Sequence, residues 1–407
     1  MKYSIKENRS GKYQVIKEGS SRATRVFDDY KEAKDYIEQR EKKEKMKNKK
    51  NITFGKVIIV IILGFIIGFA CGYFTPLNLE ENNLPDEGVI TEEELSIHFL
   101  ELGNKYTGDC VYIKAGNNDI LIDAGSRNSS SETISNYINN YITDGIIEYV
   151  IATHAHQDHI AGFVGTKAAP GIFERYECEI IIDFPLTNST SAVYNNYISL
   201  RDKEIKEGAK HYTALDCYNN VNGGQRSYDL GEGLKLEILY NYFYDHKTSD
   251  ENDYSVCVLL NDGLNNYLFT GDLEKDGEEY LVEYNNLPKC KVYKAGHHGS
   301  KTSSSEVLLE VIQPEIVCVC CCAGSTEYTS DNDNTFPTQD FINRVSKYTD
   351  QIFVTTLDSD NKEGFVSMNG NIVVSLNNGL VTINCSNNNV ILKDTEWFDK
   401  NRKWPNK

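Results

Sequence analysis

The sequence predicts a layered α/β domain that follows one transmembrane helix and a small ββα domain. Three observations support this prediction. Residues 147–153, 267–270 and 291–295 are strand-like, and each segment runs into histidine or aspartate side chains. Residues 57–74 contain no charge and are long enough to cross a bilayer as a helix. Residues 2–17 alternate like two short strands, and residues 27–38 follow with a helical pattern.

These patterns divide the 407-residue chain into six segments. They are a small cytoplasmic ββα domain at 1–45, a basic juxtamembrane segment at 46–56, a transmembrane helix at 57–74, an acidic linker at 75–95, an α/β domain at 96–390 and a C-terminal tail at 391–407. The N-terminal domain is too small for more than a marginal core, which favours stabilisation by a partner or a second copy. The oligomeric state has no signature in the sequence.

The apolar segment at 57–74 is interpreted as a single-pass anchor. It is apolar on every face and flanked by polar sequence, which a buried core helix would not be. About fifty residues precede it, so a cleaved signal peptide does not fit. Residues 41–50 and Lys56 place a dense positive cluster before the helix, whereas residues 80–87 are acidic. The positive-inside rule therefore predicts a cell-membrane protein with a cytoplasmic N-terminus and an extracellular α/β domain.

Charge also restricts the partners of the α/β domain. Residues 1–56 hold 17 Lys and Arg against 9 Asp and Glu, which leaves 25 against 51 for the rest of the chain. A tight nucleic-acid binder would be expected to show a basic surface. Nucleic acid is therefore a possible partner that the acidic charge disfavours.

The first polar cluster lies at the end of the strand-like segment 147–153. It contains His154, His156, Asp158 and His159 within six positions. Two histidines that are two residues apart in extended chain point to the same side. Neutral imidazoles and a carboxylate are the ligands expected for zinc or a similar divalent ion. The sequence thus predicts a metal site on this loop.

Two later clusters supply further candidate ligands. Asp272 follows the strand-like segment 267–270, and His297 and His298 follow 291–295. Neither Asp272 nor the His297–His298 pair is strong evidence for a metal site by itself, since a turn or an exposed loop explains each of them equally well. All three clusters nevertheless lie at strand ends, where layered α/β domains usually place their chemistry.

In this order, the three clusters resemble those of the metallo-β-lactamase fold, and more narrowly the hydrolase domain of the ComEC competence family. Residues 97–103, Gly108-Asp109 and 120–125 resemble its opening strands, with Asp123 in the first-motif position. Residues 252–256 resemble the start of its middle strand, and the resemblance spans about 96–386. It implies a four-layer αβ/βα domain.

The resemblance also implies a binuclear site with two divalent ions, zinc or manganese. His154 and His156 would hold one ion, Asp158, His159 and one histidine of the 297–298 pair the other, and Asp272 would bridge them. Spacing does not decide between His297 and His298; His297 is favoured as the first residue after the strand. Paired ions lower the pKa of a shared water and clamp the attacking and leaving oxygens. Asp158, His298 and Lys301 are the candidate catalytic residues.

Ser300, Lys301 and Thr302 could hold an anionic group such as phosphate, although a solvated helix start with a Ser/Thr cap explains them equally well. The chain departs from the family in two places. The histidines available for a further ligand, His211 and His246, lie in polar segments and are expected to face solvent. Residues 334–337, Asn-Thr-Phe-Pro, stand where a histidine-containing segment is often found.

The predicted function is metal-dependent hydrolysis of phosphodiesters by a nuclease or a cell-surface phosphodiesterase, through a hydroxide that bridges the metals. Two alternatives remain open, an acyl, lactone or β-lactam hydrolase of the same fold and a non-catalytic membrane sensor. The 11 cysteines do not form a disulfide pattern. Four of them crowd into residues 316–323, which are predicted to form a buried strand with thiols as small apolar groups, with a thiol metal cluster as the alternative.

Overall fold

The computed structural model describes residues 3–7, 13–17, 23–27, several positions between 29 and 37, 95–359 and 364–405. The predicted juxtamembrane segment, the predicted helix at 57–74 and nearly all of the predicted linker lie outside these residues. Within the described part of the chain, no helix is long and apolar enough to cross a membrane. The chain forms two units, Met1–Glu92 and Glu93–Lys407.

The described part of the first unit is a three-stranded antiparallel sheet. Its strands are β1 (Tyr3–Glu7), β2 (Tyr13–Lys17) and β3 (Ala23–Phe27). The sequence predicted two strands before the helix, so β3 is an addition. Its composition, Ala-Thr-Arg-Val-Phe, explains the difference because β-branched and aromatic residues favour extended chain. Residues 30, 31, 33, 34 and 37 are helical, within the range predicted for the helix.

The second unit is a mixed α/β domain with two eight-stranded sheets. Its strands are β4 (Leu95–Phe99), β5 (Val111–Ala115), β6 (Asn118–Ile122), β7 (Ile146–Ile151), β8 (Glu177–Asp183), β9 (Lys210–Thr213), β10 (Ser227–Gly231), β11 (Leu234–Ile238), β12 (Val258–Asn261), β13 (Asn266–Phe269), β14 (Val292–Lys294), β15 (Ile316–Ala323), β16 (Ile352–Asp358), β17 (Phe365–Ser367), β18 (Ile372–Asn377) and β19 (Leu380–Cys385).

Helices connect most of the parallel strands. They are α1 (Ser130–Ile138), α2 (Gln157–Val164), α3 (Ile172–Arg175), α4 (Ala192–Glu207), α5 (Ala214–Asn219), α6 (Lys275–Tyr284), α7 (Glu306–Ile312), α8 (Gln339–Val345) and α9 (Glu396–Asn401). Several begin with a side-chain cap, as at Ser305, whose side chain accepts a hydrogen bond from the Leu308 amide at the start of α7.

The two sheets have related topologies. The first has the order β19-β18-β4-β5-β6-β7-β8-β9, and the second has the order β10 to β17. The strands from β6 to β9 are parallel, and so are the strands from β13 to β16. Each sheet therefore has a row of parallel strands whose carboxyl ends lie along one edge. The predicted metal-ligand clusters follow β7, β13 and β14 at the carboxyl ends of these parallel strands.

The sheets face each other across an apolar core. The rings of Phe99 on β4 and Phe269 on β13 stack with their centroids 6.2 Å apart. Cys318 and Cys320 on β15 belong to this inter-sheet core. The alternate residues of β15, such as Val319, pack into a second cluster together with residues of α6, α7 and α8. Two faces of one strand thus contact a sheet and a helical layer, as the resemblance implied.

Strand β15 confirms the interpretation of the cysteine-rich segment. All eight of its residues, Ile316–Ala323, are buried, and its cysteines are free thiols. Burial raises the pKa of the Cys318 thiol well above its ordinary value, which keeps it protonated and apolar. The thiols fill core space, as small apolar side chains would.

Candidate metal centre

The first histidine cluster lies on the loop from β7 to α2. His154 follows the buried strand and is itself fully buried. His156 is extended, with φ −70° and ψ 149°, and starts α2 as its N-terminal cap residue. Asp158 and His159 occupy the first turn of that helix. The loop and the first turn of α2 thereby place these four side chains together at the carboxyl end of β7.

Four side chains from three separate segments converge beside this loop. One ligand atom each from Asp158, His159, Asp272 and His298 lies within 4.8 Å of the others. The Nε2 atoms of His159 and His298 both lie 3.0 Å from Oδ2 of Asp272. His298 Nε2 is also 3.5 Å from Oδ2 of Asp158. We call these four residues the ligand quartet.

Each imidazole of the quartet has a protein partner at its Nδ1 atom. His159 Nδ1 lies 2.8 Å from Oδ2 of Asp123, and Asp123 in turn accepts hydrogen bonds from the amide and hydroxyl of Thr153. His298 Nδ1 donates to the carbonyl oxygen of Cys320 at 2.9 Å. A partner on Nδ1 fixes the ring and leaves Nε2 for a metal, as is usual for metal-binding histidines.

The donor set fits a divalent cation. His298 Nε2 is buried and has no hydrogen bond of acceptable geometry within the described residues. A buried polar atom without a partner is costly, and a metal ion facing the quartet would satisfy it. Two imidazole nitrogens and two carboxylates are suitable ligands for zinc, manganese or iron.

His154 and His156 lie next to the quartet but are not members of it. The Nε2 atom of His154 is 2.9 Å from Nδ1 of His156, and the His154 ring centroid is 4.2 Å from that of His159. The prediction that these two histidines hold a separate ion therefore remains a prediction, with the two nitrogens adjacent as it requires.

The structure places His298 in the quartet, where the sequence favoured His297. Both residues adopt left-handed backbone angles, with φ 44° for His297 and 55° for His298. This turn directs the second imidazole inward. The first is 22% exposed, and its Nδ1 lies 3.0 Å from Oε1 of Glu274. Sequence spacing has no means of indicating two successive left-handed residues, which cost energy in non-glycine residues.

A buried lysine supports the quartet through Asp109 and Asp272. Lys294 ends strand β14, and its Nζ forms an ion pair with Asp109. The same atom donates to the carbonyl oxygen of Gly271 at 3.0 Å and lies 3.5 Å from Oδ1 of Asp272. Asp109 Oδ1 is 3.2 Å from Nδ1 of His298. The sequence signal for the buried position of Lys294 is that this charged residue lies within the otherwise apolar stretch 292–295.

Electrostatics keep the carboxylates of this centre ionised. Burial alone would raise the pKa of Asp272, but the neighbouring His159, His298 and Lys294 side chains outweigh burial and hold the pKa well below its usual range. His154 shows the opposite case. Burial and the neighbouring histidines lower its pKa well below the ordinary value, so it stays neutral, which is the form that binds metal.

The predicted anion-binding residues lie outside the quartet. Ser300 Oγ and Thr302 Oγ1 are 2.9 Å apart, and Lys301 is exposed, with its Nζ donating to Oδ1 of Asn334 at 2.9 Å. The two histidines considered as a further ligand also lie outside the quartet. His211 pairs with Asp183, and the exposed His246 pairs with Asp245.

Tyr328 is a residue of the site that the sequence analysis missed. Its hydroxyl donates to Oδ2 of Asp158 at 2.8 Å, from the loop that follows β15. The ring of Phe336 lies near by, with its centroid 5.8 Å from that of His298. No motif marks Tyr328, and its contact joins positions 170 residues apart. Phe336 belongs to residues 334–337, which stand where the family often has a histidine-containing segment.

Comparison with known proteins agrees with this geometry. Residues 103–177, which include the first histidine cluster, match the metallo-beta-lactamase superfamily. Recombination protein 2 of Haemophilus influenzae is 38% identical over 88 residues, or 22% of this chain and 11% of that protein. Competence protein ComA of Neisseria gonorrhoeae is 26% identical over 271 residues, or 66% of this chain and 32% of that protein. The chain is a ComEC-like metallo-β-lactamase-fold protein.

This ComEC-like chain spans less than a third of the length of either curated relative. Among solved structures, the metallo-beta-lactamase fold protein YhfI from Bacillus subtilis is similar, with 10% identity and a TM-score of 0.38 over 66% of this chain and 98% of that one.

Proposed function

We propose that this domain is a metal-dependent hydrolase of phosphodiesters. The observation that carries the proposal is the convergence of two imidazole Nε2 atoms on a single oxygen of Asp272, each at 3.0 Å. The support of both rings through Nδ1 leaves those nitrogens ready for a cation.

Divalent ions would be held by the ligand quartet, with His154 and His156 as the ligands of a second ion. When bound, such ions supply a water nucleophile that is deprotonated near neutral pH and a clamp for phosphoryl oxygens. The protein's own contribution is positional. Asp123 orients His159, the Cys320 carbonyl orients His298, and the ammonium of Lys294 holds the carboxylate of Asp272 in place.

A phosphodiester is favoured over an acyl substrate by the resemblance of residues 296–303 to the family's Gly-His-His-Gly-Ser motif. The acidic charge of the chain after residue 56 would repel a long polyanion, so the proposed substrate is a small or surface-bound phosphodiester, and a nuclease activity is the second choice. With an anchor at 57–74 and an outward-facing domain, the substrate would be met at the cell surface.

Hydrolysis of bis(p-nitrophenyl) phosphate by the purified full-length chain tests the proposal, with and without added Zn²⁺ or Mn²⁺. We expect metal-dependent turnover that His298→Ala abolishes. His246→Ala is the matched control, because it removes an exposed imidazole that pairs with Asp245 outside the quartet. Turnover that survives His298→Ala, or bound metal without turnover of any phosphodiester, would refute phosphodiesterase chemistry and favour an acyl hydrolase. A protein that binds no metal would favour the sensor.

A further inference from the structure

The loop that follows β15 carries Tyr328 to the solvent side of the ligand quartet. The tyrosine is 55% exposed, whereas His159, Asp272 and His298 are buried. Its hydroxyl donates to Asp158 Oδ2 at 2.8 Å. A molecule that approaches the quartet from solvent at Asp158 therefore meets this hydroxyl first.

The position of Tyr328 is fixed by its neighbour in sequence. Glu327 bridges to a different part of the domain, with Oε1 2.5 Å from the Arg127 guanidinium and Oε2 accepting a hydrogen bond from the Thr107 amide at 2.9 Å. The guanidinium in turn lies 3.8 Å from the centroid of the Tyr106 ring. These contacts hold the loop against the segments that follow β4 and β6, so the backbone next to Tyr328 is anchored to the rest of the domain.

The aromatic ring of Phe336 lies beside Tyr328 and the two histidines. The Phe336 ring centroid is 5.9 Å from that of Tyr328, 5.6 Å from that of His297 and 5.8 Å from that of His298. The Phe336 ring thus lies near both the Tyr328 ring and the His298 ring of the quartet. A hydroxyl donor and aromatic ring surface therefore occur side by side next to the quartet, which suits a ligand with an anionic head and an apolar or flat substituent.

The cations near the quartet are already engaged. Lys294 is buried and ion-paired with Asp109, and Lys301 donates to Asn334 at the surface. Tyr328 is a neutral donor, and moving its hydrogen bond from Asp158 to a ligand oxygen exchanges one anionic acceptor for another. When a cation bound by the quartet shares the charge of Asp158, that carboxylate becomes the weaker acceptor, so the exchange favours the ligand oxygen.

We propose that Tyr328 is a substrate-binding residue, whose hydroxyl donates a hydrogen bond to a non-bridging oxygen of the phosphoryl group while its ring and that of Phe336 contact the substituent. This inference rests on the proposed phosphodiesterase function, and it names the group that recognises the phosphoryl oxygen at that site.

Calorimetric titration of the full-length, Mn²⁺-loaded chain with inorganic phosphate tests the inference. The variants are Tyr328→Phe and, as the matched control, Tyr284→Phe, which removes the same hydroxyl from a tyrosine that is 46% exposed on α6. Because a hydrogen bond to a charged group is lost, we expect Tyr328→Phe to raise the Kd for phosphate about tenfold at unchanged metal content. Tyr284→Phe should bind as the wild type does.

Three results would overturn the inference. They are an unchanged Kd in Tyr328→Phe, loss of metal in that variant, which would make Tyr328 a positioning residue for Asp158, and failure of the loaded wild type to bind phosphate. Turnover of bis(p-nitrophenyl) phosphate is measured on the same samples. Weakened phosphate binding without any wild-type turnover would support Tyr328 as an anion-binding residue and refute the phosphodiesterase alone.

Discussion

Replacing Lys294 with methionine removes the positive end of a buried ion pair and keeps most of the side-chain volume. Lys294 and Asp109 are each 2% exposed. Burial would lower the pKa of Lys294, but the charges of Asp109 and Asp272 outweigh it and raise the pKa above the ordinary lysine value. The ammonium is therefore present in the folded state, and its loss leaves the Asp109 carboxylate buried without its principal counter-charge.

The expected cost follows from that loss. Breaking a buried ion pair by removing one partner costs about 3–5 kcal/mol. An unfolding entropy of about 2.1 cal/mol/K per residue gives about 0.65 kcal/mol/K for the unit Glu93–Lys407. Dividing a mid-range cost of about 4 kcal/mol by this entropy predicts a Tm that is lower by about 6 °C.

Thermal unfolding in a chelating buffer measures this effect without a contribution from bound metal. Tryptophan fluorescence reports on the correct unit, because Trp397 and Trp404 are the two tryptophans of the chain and both lie in it. Lys294→Met, Asp109→Asn and the double variant form a cycle, in which the double variant should be less destabilised than the sum of the two single changes. A Tm for Lys294→Met within about 1 °C of the wild type, or strict additivity, would refute the reasoning.

Three further predictions concern other residues. His298→Ala should lose bound divalent metal after dialysis while His297→Ala retains it, and equal losses in elemental analysis would contradict the assignment of His298. Asp123→Asn should weaken metal binding by about 10–100-fold in a chelator competition, because His159 Nδ1 loses its carboxylate partner; an unchanged affinity would argue against that support. Burial raises the pKa of Glu148 from 4.5 to about 8, so its stabilising contribution is lost as the pH rises through that window. Glu148→Gln should therefore show a smaller fall in Tm between pH 5 and pH 8 than the wild type, and identical falls would exclude this carboxyl as the cause.

Much of the α/β domain could be predicted because its signals are local. The segment predicted at 147–153 corresponds to β7, and the clusters that follow β7, β13 and β14 lie at the sheet edges as expected. A run of β-branched residues that ends in polar side chains has one common explanation in a layered α/β fold. Such a run predicts a strand from the local sequence alone, without knowledge of the strands that pair with it.

The remaining features depend on contacts that local sequence does not describe. The inward position of His298 accompanies two successive left-handed residues, His297 and His298, which the local sequence does not indicate. The pairing of Lys294 with Asp109 joins a strand of the second sheet to the loop before β5 of the first. Tyr328 reaches Asp158 only because the two sheets face each other, so the tertiary structure creates that contact.

The burial of the cysteines has a consequence for how this protein meets oxidants. Nine of the ten cysteines in the described residues are buried, and none of the ten is in a disulfide. Because an oxidant or alkylating reagent attacks the thiolate, such sulfurs react only when the surrounding structure opens. The domain can therefore keep reduced thiols in an oxidising medium for as long as it stays closed. The rate at which the buried cysteines react with a thiol reagent therefore measures how often the surrounding structure opens.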